Sequence, residues 1–150
     1  MQTRPLTKGD YDRIVTVIDH WWEGPTNALA HPIFFYELGL LARVVEEDGQ
    51  LVGFLFGFIS PGFASPDTQV GYVHLVGIHP DYRRRGVARL LYAAFEDDCR
   101  ASGCAGIKAI TTHGNEGSVR FHAALGWAVN EVDDYAGPGR SRIVFEKKLG

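Results

Sequence analysis

Two long segments of the chain carry apolar residues at the spacing of one helical face. In the first, Tyr11, Ile14, Val15 and Ile18 follow one another at this spacing. They come after TKGD at positions 7–10, which has the form of a helix-opening capping box. A first helix is therefore predicted from about Lys8 to His20.

The second helical pattern begins at Gly86. Its apolar residues recur at positions i, i+3, i+4, i+7 and i+8, the spacing of one helical face: Val87, Leu90, Leu91, Ala94 and Phe95. Glu96 and Arg100 fall on the opposite side of this predicted helix, with Asp97 at the border. That side should face solvent.

The other apolar segments predict mostly strands. Runs at 41–47 and 51–60 flank Asp48-Gly49, which indicates an antiparallel hairpin. The run at 70–78 is almost continuously apolar and belongs in the middle of a sheet. The remaining predicted elements are a short first strand, a short helix from Ile33 to Leu40, a helix opened by Asn115, and strands at 106–112, 126–132 and 142–149. The order β-α-α-β-β-β-α-β-α-β-β predicts one α/β domain over residues 1–150, with a mixed sheet.

Composition narrows the class of protein. The chain has 150 residues, 45% of them hydrophobic, and a net charge of −3, which disfavours a disordered chain or a general polyanion binder. The two cysteines, Cys99 and Cys104, are too few for a disulfide framework and favour a reducing compartment. The N-terminal residues lack the apolar segment of a signal peptide, and the longest apolar run, 51–59, is too short to span a membrane. We expect a soluble, cytoplasmic protein.

Three consecutive arginines precede Gly86 at the mouth of the second long helix. Here a strand ends at Ile78, and a turn and a helix start direct unpaired backbone N–H groups out of the sheet. Gly86 leaves room for a phosphate to approach, and Arg83, Arg84 and Arg85 add positive charge. The pattern fits a diphosphate ligand, although a solvated turn with clustered charges is the plain alternative.

Two motifs resemble those of the GNAT superfamily of N-acetyltransferases. RRRGVA at 83–88 matches the signature R/Q-x-x-G-x-G/A, and NEGSVRFHAALGW at 115–127 resembles N-x-x-[AS]-x-x-[FL]-[YH]-x-x-x-G-[FW]. The element order agrees with that family over nearly the whole chain. The resemblance implies the acyl-CoA N-acyltransferase fold, a central mixed, twisted sheet of six to seven strands flanked by about four helices and splayed between strands 4 and 5.

The resemblance also implies acetyl-CoA as cofactor. Its diphosphate would bind amides of the segment 84–89, and its pantetheine arm would pair with the strand near Val76 and Ile78. Asn115 would lie near the coenzyme, and it also fits a plain helix N-cap. The implied coenzyme-binding residues are Val76, Gly77, Ile78, Arg83, Arg84, Arg85, Gly86, Val87, Ala88, Arg89, Asn115, Ser118, Phe121 and His122.

In the family, a base lies on the strand before the phosphate loop, and here that strand has no acidic residue. It has Tyr72 and His74 on one predicted face, which Val76 and Ile78 should continue. His74 is the candidate base, since its ordinary pKa is near neutrality. A core histidine bonded to a backbone group is the alternative.

A general acid is harder to choose. Many family members have a tyrosine at the position of His122, so His122 could protonate the leaving thiolate or simply pack. Tyr72 and Tyr135 are the other candidate donors. The resemblance places the backbone N–H that polarises the carbonyl near Val76.

The acceptor pocket, by the same resemblance, lies between the first inter-helix segment and the loop joining the last two strands. Its candidate residues are Trp21, Trp22, Glu23, Asp133, Asp134 and Tyr135, which would suit a small cationic amine. The alternative for each of them is a core aromatic or a solvated turn residue. The acceptor would be a small-molecule or peptide amine, and a homodimer is compatible with the family.

Two rival functions stay open. One is a coenzyme-A-binding module without catalysis, favoured by the missing acidic base. The other is a nucleic-acid contact through the arginine loop, which the net charge disfavours. No metal partner is expected, because the six histidines and two cysteines show no metal-ligand spacing.

Overall fold

The computed structural model describes residues 1–21, 27–61 and 68–150. Within these ranges it has seven strands and four α-helices, in the order that the sequence predicts. The strands are β1 (Gln2–Pro5), β2 (Arg43–Glu47), β3 (Gln50–Ser60), β4 (Val70–Ile78), β5 (Gly106–Thr112), β6 (Ala128–Val132) and β7 (Arg142–Lys148). The helices are α1 (Lys8–Trp21), α2 (Ile33–Tyr36), α3 (Val87–Ala101) and α4 (Glu116–Ala124), with short 3₁₀ turns at Asn27–Ala30 and Pro80–Tyr82.

The strands form one mixed sheet in the order β1-β2-β3-β4-β5-β7-β6. The β2–β3 hairpin turns at Asp48 and Gly49, both with positive φ, as a two-residue hairpin requires. β4 lies in the middle of the sheet and pairs in parallel with β5, but only from Val70 to Val73. Beyond that point the two strands part, which is the expected splay between strands 4 and 5.

A β-bulge on β4 corrects one prediction from the sequence. In the register with β3, Phe56 pairs with Leu75 and Gly57 pairs with Val73, so His74 is an extra residue without an opposite partner. A bulge of one residue reverses the alternation of side chains beyond it. Val76 therefore does not continue the face of His74, as simple period-two spacing predicted.

The sheet separates two cores, which define its two sides. The α3 side holds a core with Val73, Phe95 and Phe145, and the α1 side holds a core with Ile14 and Phe54. Tyr72 lies on the α1 side because its neighbour Val73 faces the α3 side. Val76 and Ile78 pack against the α3-side core, as the bulge requires.

The face of α3 was only partly predicted. Glu96 is not on a solvent side: it is buried and accepts ion pairs from Lys147 at 2.8 Å and Arg100 at 2.7 Å. Tyr92, which the predicted face omitted, is buried. The periodicity located the helix correctly. The buried face of α3 is wider than its row of apolar residues, because a carboxylate with two cationic partners can also be buried.

Local signals explain the helix boundaries. The Thr7 backbone N–H donates to the Asp10 carboxylate at 2.8 Å, while the Asp10 N–H donates to Thr7 Oγ1 at 3.3 Å, so the predicted capping box is confirmed. Helix α2 ends at Tyr36, short of the predicted Leu40. A Cβ at Gly39 would lie 2.2 Å from the Phe35 carbonyl oxygen, so the chain turns tightly there. None of the helices in the described ranges has the length and apolarity needed to cross a bilayer.

Candidate functional site

The parting of β4 and β5 opens a cleft of about 580 Å³, called here the strand-gap cleft. Residues 72–76 of β4 and 109–112 of β5 form its two walls. Tyr92 and residues of α4 line it from the α3 side of the sheet, while Leu29 and Arg142 line it from elsewhere in the chain. Because Tyr72 and Val76 point to opposite sides of the sheet, residues from both sides line the cleft.

Two further clefts continue from the strand-gap cleft toward the start of α3. The next one, of about 910 Å³, shares Val76, Asn115 and Ser118 with it. The third, of about 310 Å³, shares Ile78 and Arg83 with the second and is lined by residues 86–89. The second and third clefts therefore form one groove that leads from the α3 N-terminus to the strand-gap cleft, and we call these two clefts the donor groove.

The N-terminus of α3 is a ready anion site. Gly86 is the N-cap, with φ of 84° and no side-chain capping hydrogen bond. The first bond back to the cap comes from the Leu90 N–H, so earlier N–H groups of the helix have no helical acceptor. A Cβ at Gly86 would meet nothing within 4 Å, so the space beside it is open to a ligand. Glycine is favoured here because the backbone is in the left-handed region. These donors and that space fit a diphosphate.

The three arginines before Gly86 have different surroundings. Arg83 donates from Nη2 to the Trp21 carbonyl oxygen at 2.7 Å, and this bond connects the end of α1 to the loop before Gly86. Arg85 lies over the Tyr82 ring at 4.6 Å. Arg84 has a positive φ of 62°, is exposed, and has no carboxylate within 4 Å in the described part of the chain. The loop therefore offers a mixture of structural and free cations rather than a uniform basic patch.

Helix α4 closes the donor groove on the far side from β4. Asn115 caps it, because its side-chain oxygen accepts from the Ser118 N–H at 3.2 Å, and its Nδ2 donates to Thr111 Oγ1 at 2.9 Å. Its expected N-cap role is confirmed. Phe121 lines the third cleft and contacts the Tyr92 ring edge to face, with centroids 5.1 Å apart.

His74, the extra residue of the bulge, lines the strand-gap cleft. Its Nε2 lies 2.9 Å from the Leu29 carbonyl oxygen, and its ring stacks on Phe34 with centroids 3.8 Å apart. A carbonyl only accepts, so Nε2 carries the proton and Nδ1 keeps the lone pair of the neutral ring. Burial lowers the pKa of His74 below its ordinary value, which favours this neutral form.

His122 lines the same cleft but is almost fully buried. Its ring stacks on Phe145, and its Nδ1 donates to the Ser118 carbonyl oxygen at 2.8 Å. Its Nε2 therefore accepts, and its partner at 2.9 Å is the Tyr92 hydroxyl, which donates. Burial lowers the pKa of His122 and raises the pKa of Tyr92. In this pair the transferable proton lies on Tyr92, a cleft residue that the sequence reasoning missed.

A helical-spacing signal could have found Tyr92. It lies three residues before Phe95 and seven before Cys99, and all three are buried. A polar hydroxyl on that buried stripe needs a partner, and the histidine of α4 is the one it has.

The candidate acceptor residues are not all brought together. Trp21 is buried, stacks on Phe54 and lines the second cleft, away from the loop before β7. Asp134 accepts from the Gly139 N–H at 2.7 Å and so shapes its own turn. Tyr135 is 41% exposed, with Lys108 Nζ 5.2 Å from its ring centroid. Asp133 is exposed in the same turn, and Trp22 and Glu23 lie outside the described residues.

Tyr72 is the remaining candidate. It lines the strand-gap cleft, its ring lies 5.4 Å from that of Phe58, and burial raises its pKa. Over the described ranges no three His, Cys, Asp or Glu side chains cluster as metal ligands would.

Comparison with known proteins agrees with this geometry. A family model described as the acetyltransferase (GNAT) family matches residues 11–127. An acetyltransferase of Photorhabdus laumondii is 24% identical over 154 residues, which cover 99% of this chain and 96% of the relative.

Solved structures share the fold at low sequence identity. A chain from the NatC complex bound to Gag peptide and CoA superposes with a TM-score of 0.81 at 16% identity, over 99% of this chain and 98% of that one. An acetyltransferase of Salmonella typhimurium, solved with its cofactor acetyl-CoA, gives 0.72 at 20% identity, over 99% and 94% of the two chains. The fold class expected from the motifs, with its mixed seven-stranded sheet and parallel β4–β5 pair, is confirmed.

Proposed function

The chain belongs to the acetyltransferase (GNAT) family, and we propose that it transfers the acetyl group of acetyl-CoA to a primary amine of a small molecule or peptide. The attack is direct, within a ternary complex. One observation carries the proposal: the strand-gap cleft is lined by residues from both sides of the sheet, and it shares lining residues with the clefts that lead to the anion site at the start of α3. Donor and acceptor can therefore meet in the gap.

The donor groove fits the coenzyme part by part. The free N–H groups at the start of α3 would hold the diphosphate, with Arg84 and Arg89 near it. Beyond Val73, the β4 edge facing β5 has no strand partner, so backbone groups near Val76 can pair with the pantetheine amides. The coenzyme supplies an acetyl thioester, which this arrangement would bring to the gap between the strands.

His74 is the proposed base. In its neutral form the Nε2–H is held by the Leu29 carbonyl oxygen, and the free lone pair on Nδ1 can accept a proton from the attacking amine, directly or through water. The lowered pKa keeps the ring neutral at pH 7, so no prior deprotonation is needed.

Tyr92 is the proposed proton donor to the departing thiolate, in place of His122. Tyr92 lines the cleft, and its O–H donates to His122 Nε2, so transfer of this proton to the thiolate requires the hydroxyl to turn from His122 toward the cleft. The one proton of neutral His122 is on Nδ1, where the Ser118 carbonyl oxygen accepts it, so His122 positions Tyr92 rather than donating itself. Tyr72 and Tyr135 stay as alternatives on the α1 side.

A non-catalytic coenzyme-A-binding module is the second candidate. One observation favours it: His74 is already stacked on Phe34 and bonded to Leu29, which a purely structural histidine would also be. Coenzyme binding without turnover of any amine would distinguish it from the enzyme. A cytoplasmic location and a homodimer stay predictions.

Thermal unfolding with acetyl-CoA, coenzyme A, ATP and an oligonucleotide tests the proposal. A ligand that binds only the folded protein stabilises it by about 2.7 kcal/mol at a concentration 100 times its Kd. We expect acetyl-CoA to raise the midpoint and Gly86→Glu to abolish the rise, because the new carboxylate would lie in the anion site. Gly103→Glu is the matched control, since Gly103 also has positive φ and open space but lies after the other end of α3. A shift with the oligonucleotide alone would contradict the proposal.

A further inference from the structure

Among the residues that the structure describes, two half-buried cations have no carboxylate partner. Five lysine and arginine residues of the described ranges are half-buried: Arg4, Arg43, Lys108, Arg142 and Lys147. Arg4, Arg43 and Lys147 have a carboxylate oxygen at 2.6, 2.7 and 2.8 Å. For Lys108 and Arg142, no carboxylate lies within 4 Å among the residues that the structure describes. Lys108 has the Tyr135 ring as a partner, with its Nζ 5.2 Å from the ring centroid. Arg142 has no charged or aromatic partner in the described ranges, so it is the position that calls for an explanation.

Both cations lie on the α1 side of the sheet. On β7, Phe145 belongs to the α3-side core and Lys147 reaches Glu96 of α3, so alternation directs Arg142 to the other side. On β5, Ile107 belongs to the α3-side core, so Lys108 shares the side of Arg142.

Arg142 borders the reaction space directly. It pairs with Thr112 at the end of β5 and lines the strand-gap cleft. Its Nη1 donates to the Ser141 carbonyl oxygen at 2.8 Å, and this is its one hydrogen bond within the described ranges. A guanidinium has five N–H donors, so most of them have no protein acceptor there.

Glu146 is exposed on the same side of the sheet and is the cross-strand neighbour of Lys108, so it offsets the charge of Lys108. Two further carboxylates have partners of their own. Asp134 accepts from a backbone N–H of its own turn at 2.7 Å. Glu131 accepts from His113 at 2.6 Å and from Ser141 at 3.3 Å. The described lining of the strand-gap cleft contains no acidic side chain. The expected pocket for a cationic amine is therefore not assembled from the described residues.

The coenzyme does not account for Arg142. The cleft at the start of α3 is lined by residues 82–84 and 86–89 with Ile78 and Phe121, and Arg142 lines neither that cleft nor the one next to it. It borders the gap itself, on the side from which an acceptor would approach.

We propose that the acceptor carries an anionic group, a carboxylate or a phosphate, beside the amine that is acetylated, and that Arg142 binds this group. The inference rests on the proposed acetyl transfer. Lys108 lies on the same face but opposite Glu146, so Arg142 is the residue that would carry this recognition. Arg142 is then a specificity-determining residue, since a planar guanidinium binds such oxygen pairs with two parallel hydrogen bonds.

Matched acceptors test the proposal. The pairs are β-alanine and β-alaninamide, 4-aminobutyrate and 4-aminobutanamide, and phosphoethanolamine and ethanolamine, with release of thiol as the readout. The first two pairs probe a carboxylate and the third probes a phosphate. We expect kcat/KM to be at least about tenfold higher for the anionic member of a pair, and Arg142→Gln to remove this preference mainly through KM, by roughly 10- to 100-fold.

Arg140→Gln is the matched control. Arg140 is exposed in the same loop, its backbone rather than its side chain forms the turn, and it does not line the cleft. We expect this variant to keep the wild-type preference. A preference for the neutral members, or an anionic preference that survives Arg142→Gln, overturns the inference.

Failure of the proposed function gives a different result. If acetyl-CoA does not raise the unfolding midpoint, acetyl transfer itself is wrong. Acetyl-CoA could bind although no acceptor is turned over. In that case the same acceptor pairs are titrated calorimetrically into the protein saturated with coenzyme A, to measure whether the anionic members bind. Binding of anionic members that Arg142→Gln abolishes supports the inference, and equal or undetectable binding of both members overturns it.

Discussion

The two sides of the strand gap are built in different ways. On the donor side, the anion site comes from one short stretch, residues 83–89, with backbone N–H groups as its chief donors. On the acceptor side, the residues come from distant parts of the chain, among them Leu29, Tyr72, His74 and Arg142. One side is encoded locally and the other exists only after the sheet has formed.

This difference sets how each side responds to substitution. A site made of backbone donors tolerates most side-chain changes, provided that the positive φ of Gly86 is kept. A site made of converging side chains depends on each of them. Substitutions at the gap should therefore affect turnover strongly, while side-chain changes along the coenzyme loop should change affinity modestly.

Tyr92→Phe should have the largest effect. Loss of a positioned proton donor lowers kcat by roughly 10²- to 10⁴-fold, whereas acetyl-CoA binding should be unchanged because the hydroxyl is not at the anion site. The ring contacts with Phe121 and Trp127 are kept. Tyr82→Phe is the control on the donor side, since Tyr82 lines the third cleft. Equal, small losses in the two variants would rule out Tyr92 as the donor.

His74→Gln should come next, with kcat/KM reduced by roughly 10²-fold at pH 7.5. The ratio of wild-type to variant kcat/KM should become smaller as the pH rises toward the pKa of the acceptor amine, because more of the amine is then already neutral. In the wild type, burial lowers the pKa of His74, so the fall in activity on the acid side should come at a lower pH than the protonation of an ordinary histidine predicts. His113→Gln, at an exposed ring, is the control. A pH-independent deficit would indicate a structural histidine.

The sequence predicts the fold well where signals are local. The capping box at Thr7, the Asp48-Gly49 turn and the helical spacing after Gly86 each depend on neighbours within a few residues. The bulge at His74 was not predictable, because it is a mismatch of register with β3 and has no signature in β4 itself. Burial of Glu96 depends on Lys147, which the sequence places on a different element.

The same reasoning applies to the site. The donor loop is a contiguous motif and could be located from the sequence. Tyr92 and Arg142 become functional candidates only through partners or neighbours that folding brings near: His122 for the first and the walls of the gap for the second. A spacing rule can place a side chain on a face, but it cannot show what that face meets.

Asn115 offers the smallest and most discriminating test, because it lies where the strand-gap cleft and the second cleft join. Asn115→Ala removes the cap on the Ser118 N–H and should destabilise the protein by about 1 kcal/mol. Asn115→Asp keeps a capping oxygen and a favourable charge at the helix start, so its stability should stay near that of the wild type.

The two variants separate the two roles of Asn115. If the side chain serves only as a cap, acetyl-CoA should stabilise both variants as it does the wild type. If it also lies against the coenzyme, the aspartate loses the amide donor and adds a negative charge in the donor groove, and acetyl-CoA affinity should fall several-fold although the fold is intact. Unfolding midpoints with and without acetyl-CoA measure both quantities in one experiment. A stable Asn115→Asp protein with weakened affinity would mean that even the locally encoded side of the gap uses one side chain for both folding and binding.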